Sequence, residues 1–139
     1  MNKVVEFEDV CFSYFAEDEK NFINNLSFSI NENSYLALLG KNGSGKSTLI
    51  KLMFGIEKAN SGKIKILNLD INKKSYEIYK MASLVFQNPD EQIVADIVEF
   101  DVAFSMENYS IASKDMHKRI DEVLEIVGLS NRRKDKISS

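Results

Sequence analysis

The chain has 139 residues, a hydrophobic fraction of 44% and a formal net charge of −3. That length gives a one-domain prior, and a mildly acidic chain without a strongly basic block argues against a nucleic-acid surface, which needs a positive patch. A single cysteine, Cys11, excludes an internal disulfide framework and fits a reducing compartment, while no run approaches the roughly 18 apolar residues that span a bilayer.

Residues 4–14 alternate roughly between apolar and polar, with Val4, Phe7, Val10, Phe12 and Tyr14, and predict a strand or a bent pair of strands with Cys11 packed inside. Residues 16–21 are charged and predict a turn. Leu26-Ser27-Phe28-Ser29-Ile30 alternates strictly, the pattern of a half-buried antiparallel strand. Residues 34–39 form a short apolar run that predicts a buried strand. After a glycine-rich stretch, residues 48–54 carry apolar side chains at helical spacing, and Gly55 is a plausible helix stop.

Residues 63–67 predict a strand with one wet face, and residues 68–74 a polar loop. Residues 75–82 predict a short helix with Ser75 as candidate N-cap. Residues 83–86 predict a second buried strand, broken at Pro89, the only proline. Two helices follow, over 97–107 and 113–127. In the second, Met116, Ile120, Val123, Leu124 and Val127 share a stripe, and Gly128 ends it. His117 lies off that stripe and predicts a solvent-facing ring, since no Cys/His cluster accompanies it. Arg132, Arg133 and Lys134, beside Asp135, read as a solvated cluster at least as well as a binding patch.

The glycine-rich stretch carries the chemistry. Gly40-Lys41-Asn42-Gly43-Ser44-Gly45-Lys46-Ser47-Thr48 fits the phosphate-loop pattern G-x-x-x-x-G-K-[ST]. Glycines let the backbone curl so that N–H groups face phosphate oxygens. Lys46 supplies positive charge for β- and γ-phosphates, and the Ser47 hydroxyl suits a Mg²⁺ ion bridging them. The following helix aims its positive end at the same place. The plain alternative is a glycine-rich turn with a solvated lysine; the strand before and the helix after are the context that favours the phosphate loop.

With these residues in view, the chain resembles the N-terminal part of an ABC-transporter ATPase, and most of all the ATPases of energy-coupling-factor (ECF) transporters. Three segments carry the resemblance: Val10-Cys11-Phe12-Ser13-Tyr14, the run from Gly40 to Thr48, and Phe86-Gln87-Asn88-Pro89-Asp90-Glu91-Gln92 with the downstream Asp101-Val102-Ala103-Phe104. The resemblance implies an α/β P-loop NTPase fold with an N-terminal antiparallel β part over 1–34. A phosphate-loop core over 35–92 and the start of a helical subdomain over 93–139 would follow. It implies that Tyr14 stacks on adenine, although by position alone a strand aromatic at a sheet edge reads equally well. It implies that Gln87 is the glutamine of the Q-loop, joining Ser47 at Mg²⁺ and acting with Lys46 in catalysis, and that the loop after it touches a transmembrane coupling subunit.

The implied ligands are ATP and Mg²⁺. The implied partners are a second ABC ATPase subunit, identical or paralogous, and the membrane subunit. The implied place is the cytoplasmic face of the cell membrane, serving uptake of vitamins or transition-metal ions. Two features depart from the family. Ser105-Met106-Glu107-Asn108 replaces a glycine-containing segment, and the sequence holds no L-S-G-G-Q signature, second acidic motif, catalytic glutamate or switch histidine. Nucleotide binding without hydrolysis is therefore the expectation for this chain alone. A P-loop ATPase of DNA repair or chromosome maintenance is the competing class; it would usually bring coiled coil, CxxC pairs or a basic stripe, none of which is visible. A non-catalytic fragment is the other alternative.

Overall fold

The structure is a computed structural model that describes residues 2–15 and 22–137. The charged turn expected at 16–21 lies outside the described residues. Contacts group the chain into two units, one ending at Leu84 and one beginning at Val85.

In the first unit, β1 (Lys3–Phe12), β2 (Ile23–Asn31), β3 (Ser61–Ile66) and β4 (Leu69–Asp70) form one antiparallel sheet in the order β2-β1-β3-β4. The alternation read from sequence sets its faces. Val5, Phe7, Val10 and Phe12 are buried with Ile64 and Ile66 from β3. Leu52 from α1 (Lys46–Met53) and Ile71 and Ile78 from α2 (Ile71–Tyr79) complete this core. Burying a side chain of this size stabilises by about 1.5–3 kcal/mol. On β1 and β2, the Phe7 and Phe28 rings stack with centroids 4.6 Å apart. Cys11 is buried as expected, and its thiol donates to Asn25 Oδ1 at 3.1 Å.

β1 is irregular at Asp9. Its register slips between Phe7 and Val10 against β2, and between Glu8 and Cys11 against β3. Asp9 adopts φ 47°, and its N–H donates to Ser27 Oγ at 2.8 Å. Opposite it sits Gly62 with φ +88°, where an added Cβ would fall 2.5 Å from the Asp9 carbonyl oxygen. The bulge brings two backbones too close for any side chain.

Several expectations need correction. Residues 34–39 form no strand and lie outside the sheet, with Leu39 89% exposed. Residues 83–86 are likewise no strand, and Val85 is 75% exposed. An apolar run becomes a buried strand only where a sheet offers it a neighbour; the sheet formed here is antiparallel and closes on β2 and β4. Leu69 and Asp70 make the short β4, and α2 opens at Ile71, earlier than expected; it is broken at Lys74 (φ −134°, ψ 30°), so a helical segment also starts at Ser75, where the sequence predicts one. Asp70 is the cap, its carboxylate accepting from the Asn72 N–H at 2.9 Å.

The second unit holds α3 (Val98–Asn108) and α4 (Ser113–Ile126) around Ala103, Ile120 and Leu124, with Val98, Val102, Met106 and Met116 packed against them. Of the expected stripe, Val123 and Val127 are exposed, because a core this small covers only the Ile120–Leu124 line. Gly128 ends α4 as expected. At φ +72° it lets the Leu129 N–H reach the Leu124 carbonyl at 2.7 Å, with its own N–H on Glu125. No helix among the described residues is long and apolar enough to cross a membrane.

Candidate functional site

The phosphate-loop segment lies in the first unit and leads straight into α1. Gly43 (φ +79°) and Gly45 (φ +91°) sit in the left-handed region, so the curl uses the backbone freedom of those two glycines. Gly40 serves a close approach instead: an added Cβ would lie 2.6 Å from Ser44 Oγ. A turn closes with the Ser44 N–H donating to the Lys41 carbonyl at 3.2 Å. Gly45 is the N-cap of α1 and makes no side-chain cap, so the first-turn N–H groups stay available at the positive end of the helix.

Lys46 folds back over the loop. Its ammonium donates to the carbonyls of Gly40 at 2.8 Å and Lys41 at 2.9 Å. Those bonds hold the cation at the loop's mouth. Lys41, Asn42, Gly43 and Ser44 are exposed, as is Ser47 on the first turn of α1. Thr48 is buried, and its hydroxyl oxygen lies 2.6 Å from the Tyr14 hydroxyl. Tyr14 thus sits over the start of α1, far from it in sequence, with its ring edge-on to Phe12 (4.8 Å) and tilted against Phe22 (5.7 Å). The helix stop also forms as expected: Gly55, at φ +64°, lets the Ile56 N–H bond the Lys51 carbonyl at 2.9 Å.

Gln87 belongs to the second unit and is exposed. The loop around it is built locally. Pro89 opens a 3₁₀ turn (Pro89–Gln92), the Gln92 side-chain oxygen accepts from the Phe86 N–H at 2.9 Å, and Asn88 donates to Glu91 at 2.7 Å. Asp101 then ties the loop to α3. One of its carboxylate oxygens accepts from the N–H groups of Val94 (2.8 Å) and Ala95 (3.2 Å). In the sequence Asp101 stands only within the Asp101–Phe104 phrase; its hold on the loop is a tertiary contact. Phe22 carries no motif, and only the tertiary structure places it beside Tyr14 and Gly45.

Behind this loop, residues 130–137 fold back on the start of α3. The Glu99 N–H donates to the Arg133 carbonyl, and the Arg133 guanidinium bonds Glu99 Oε2 at 2.6 Å and Asp121 Oδ1. Bonding to Glu99, first of all, holds the Arg133 pKa above its ordinary value. The same guanidinium reaches His117 Nδ1 at 3.3 Å. Since guanidinium only donates, Nδ1 accepts and the ring proton belongs on Nε2. His117 is exposed, as expected.

A glycine loop wound into the start of a helix, set between the second and third strands of one antiparallel sheet, is the arrangement of a phosphate-loop protein. The chain belongs to the ABC transporter family, whose model matches residues 23–139. Among curated proteins it is 42% identical over 135 residues to the energy-coupling factor transporter ATP-binding protein EcfA1 of Staphylococcus epidermidis, covering 96% of this chain and 50% of that protein. EcfA1 of a Staphylococcus aureus strain is also 42% identical, over 132 residues, covering 94% of this chain and 49% of that protein. Among solved structures, cbiO1 from Clostridium perfringens, described as part of the ABC transporter complex cbiONQ, superposes with a TM-score of 0.82 at 28% identity, covering 98% of this chain and 55% of that one. An ATP-binding subunit of an ABC transporter, at 21% identity and a TM-score of 0.77 over 96% of this chain and 54% of its own, shares the fold. The chain spans about half the length of the curated relatives it matches.

Proposed function

We propose that this chain is the nucleotide-binding portion of an ATP-binding subunit of an ECF-type ABC importer, one that couples ATP binding and hydrolysis to uptake of vitamins or transition-metal ions. The observation that carries this reading is the Gly40–Thr48 loop, curled by Gly43 and Gly45 at the N-terminus of α1 with the Lys46 ammonium across its mouth. The similarity to EcfA1 proteins supports the transporter class.

In this reading the loop amides and the first turn of α1 hold the triphosphate. Lys46 exchanges its two carbonyl bonds for β- and γ-phosphate oxygens, which offer it full negative charge instead of a dipole. Tyr14 packs against adenine with its ring while its hydroxyl stays on Thr48. Ser47 in the first unit and Gln87 in the second, both exposed, would each offer an oxygen donor to Mg²⁺, which when bound would neutralise phosphate charge. The 35–92 segment serves as nucleotide core, and the loop after Gln87 serves as the contact to a transmembrane coupling subunit. A second ATPase subunit, identical or paralogous, faces the nucleotide, and the assembly sits on the cytoplasmic face of the membrane.

Hydrolysis needs a group that orients water, and the sequence holds no catalytic glutamate motif. This chain alone therefore binds nucleotide without turning it over. Equilibrium binding of a fluorescent ATP analogue to the parent chain and to Lys46→Ala tests the site: affinity drops at least about tenfold on losing a charge-assisted phosphate contact. Equal affinities would remove the phosphate-loop assignment. ATP turnover by the chain that depends on Lys46 would refute the inactive state.

A further inference from the structure

We infer that Phe22 is a second aromatic wall of the nucleotide site, contacting the adenosine moiety beside Tyr14; this rests on the nucleotide reading of the loop. Phe22 stands just before β2, and its ring meets two parts of the site at once. One edge lies against the loop, where a Cβ added to Gly45 would fall 3.2 Å from Phe22 Cε1. The other side faces Tyr14, with ring centroids 5.7 Å apart and planes tilted by 56°. The ring therefore bridges the phosphate-binding backbone and the proposed adenine ring partner.

Phe22 also lines a cavity of about 290 Å³ that runs from Ser44, Gly45 and Lys46 to Leu26, Leu38 and Leu39, with Tyr14 outside its lining. The lining joins the cationic loop end to apolar side chains, which suits a ligand with a charged end and a flat apolar end. A phenyl ring has no group to offer phosphate. What it offers is a flat apolar face for a base or sugar. It is 46% exposed, so much of that face is in water until something covers it. The absence of a side chain on Gly45 lets the edge of the ring approach the loop.

The test separates the two ends of the ligand. Binding of ATP and of inorganic tripolyphosphate, each with Mg²⁺, is measured by calorimetry on the full chain, on Phe22→Ala, on Phe22→Leu and on Lys46→Ala. Phe22→Ala weakens ATP roughly five- to tenfold, in keeping with the worth of an aromatic contact, and leaves tripolyphosphate within about twofold. Phe22→Leu, which keeps apolar bulk against Gly45, falls between. Lys46→Ala weakens both ligands. Unchanged ATP affinity in Phe22→Ala, or equal losses of ATP and tripolyphosphate, would overturn the inference while leaving the loop assignment intact. Unchanged affinity in Lys46→Ala, or no ATP binding by the parent chain, would overturn the loop assignment and the inference together.

Discussion

The Tyr14 hydroxyl lies 2.6 Å from Thr48 Oγ1, joining the residue just past β1 to the first turn of the helix that follows the phosphate loop. Thr48 is buried, so its hydroxyl depends on that partner. Tyr14→Phe keeps the ring and removes the bond. The expected cost is about 1 kcal/mol of stability, seen as a lower urea midpoint. Nucleotide affinity should change less than about twofold, whereas Tyr14→Ala should weaken it several-fold through loss of the ring. An affinity loss in Tyr14→Phe as large as in Tyr14→Ala would mean that the hydroxyl, not the ring, matters to the ligand.

Gly62 and Gly43 both have left-handed φ, but for different reasons. Gly43 has nothing within 4 Å of an added Cβ, while at Gly62 that atom would lie 2.5 Å from one backbone oxygen and 2.6 Å from another. Gly43→Ala should cost about 1 kcal/mol, the strain of a left-handed alanine. Gly62→Ala should cost about 3 kcal/mol or more, because the bulge at Asp9 must open. Paired denaturation curves check the ranking, and equal costs would contradict the close approach.

Residues 35–40 lie outside the sheet and are exposed, unlike Phe7 at its centre. Native-state hydrogen exchange of the chain should show their amides at least about a hundredfold less protected than those of β1. Comparable protection would show that this segment finds a strand partner in solution.

Arg133 joins α3, α4 and the 130–137 segment through Glu99, Asp121 and His117. Arg133→Met keeps most of the stem and removes every one of these bonds. The melting transition of the second unit should fall, and the N–H of Glu99, which bonds the Arg133 carbonyl, should exchange faster. A melting temperature unchanged at neutral pH would show the cluster to be surface decoration. Arg133→Lys should rescue only partly, since an ammonium cannot reproduce the planar fork.

Glu8 on β1 and Lys65 on β3 meet at 2.9 Å across the sheet. Hydrogen bonding to Lys65, then its charge, lowers the Glu8 pKa below the ordinary glutamate value. A carboxylate with a depressed folded pKa stabilises the fold above its ordinary value, and that contribution is lost as pH falls through the folded value. Lys65→Gln should therefore destabilise at neutral pH, and the difference from the parent chain should vanish in acid. Titration of Glu8 by NMR should show its pKa moving up toward the ordinary value in Lys65→Gln; no movement would place the cause elsewhere.

The local features were legible in the sequence because their causes are local. Glycines at 43, 45, 55 and 128 mark backbone turns that other residues resist, and each adopts positive φ. The β1 and β2 alternation and the glycine ends of α1 and α4 follow from side-chain period and chain chirality. Residues 34–39 and 83–86 depart from the strands their sequence predicts for a reason that is not local: apolar composition predicts burial, but only a neighbouring strand supplies it. The helical turn ahead of the Lys74 kink escapes the sequence because the Asp70 cap outweighs the polar look of that segment, while the part from Ser75 forms where its pattern predicts. Tertiary structure alone decided the contacts that cross sequence distance. It set Phe22 against Gly45, Tyr14 on Thr48, and Arg133 on Glu99. Such pairs depend on where whole elements dock, and docking is settled by burial of a shared core, which no single stretch of sequence contains.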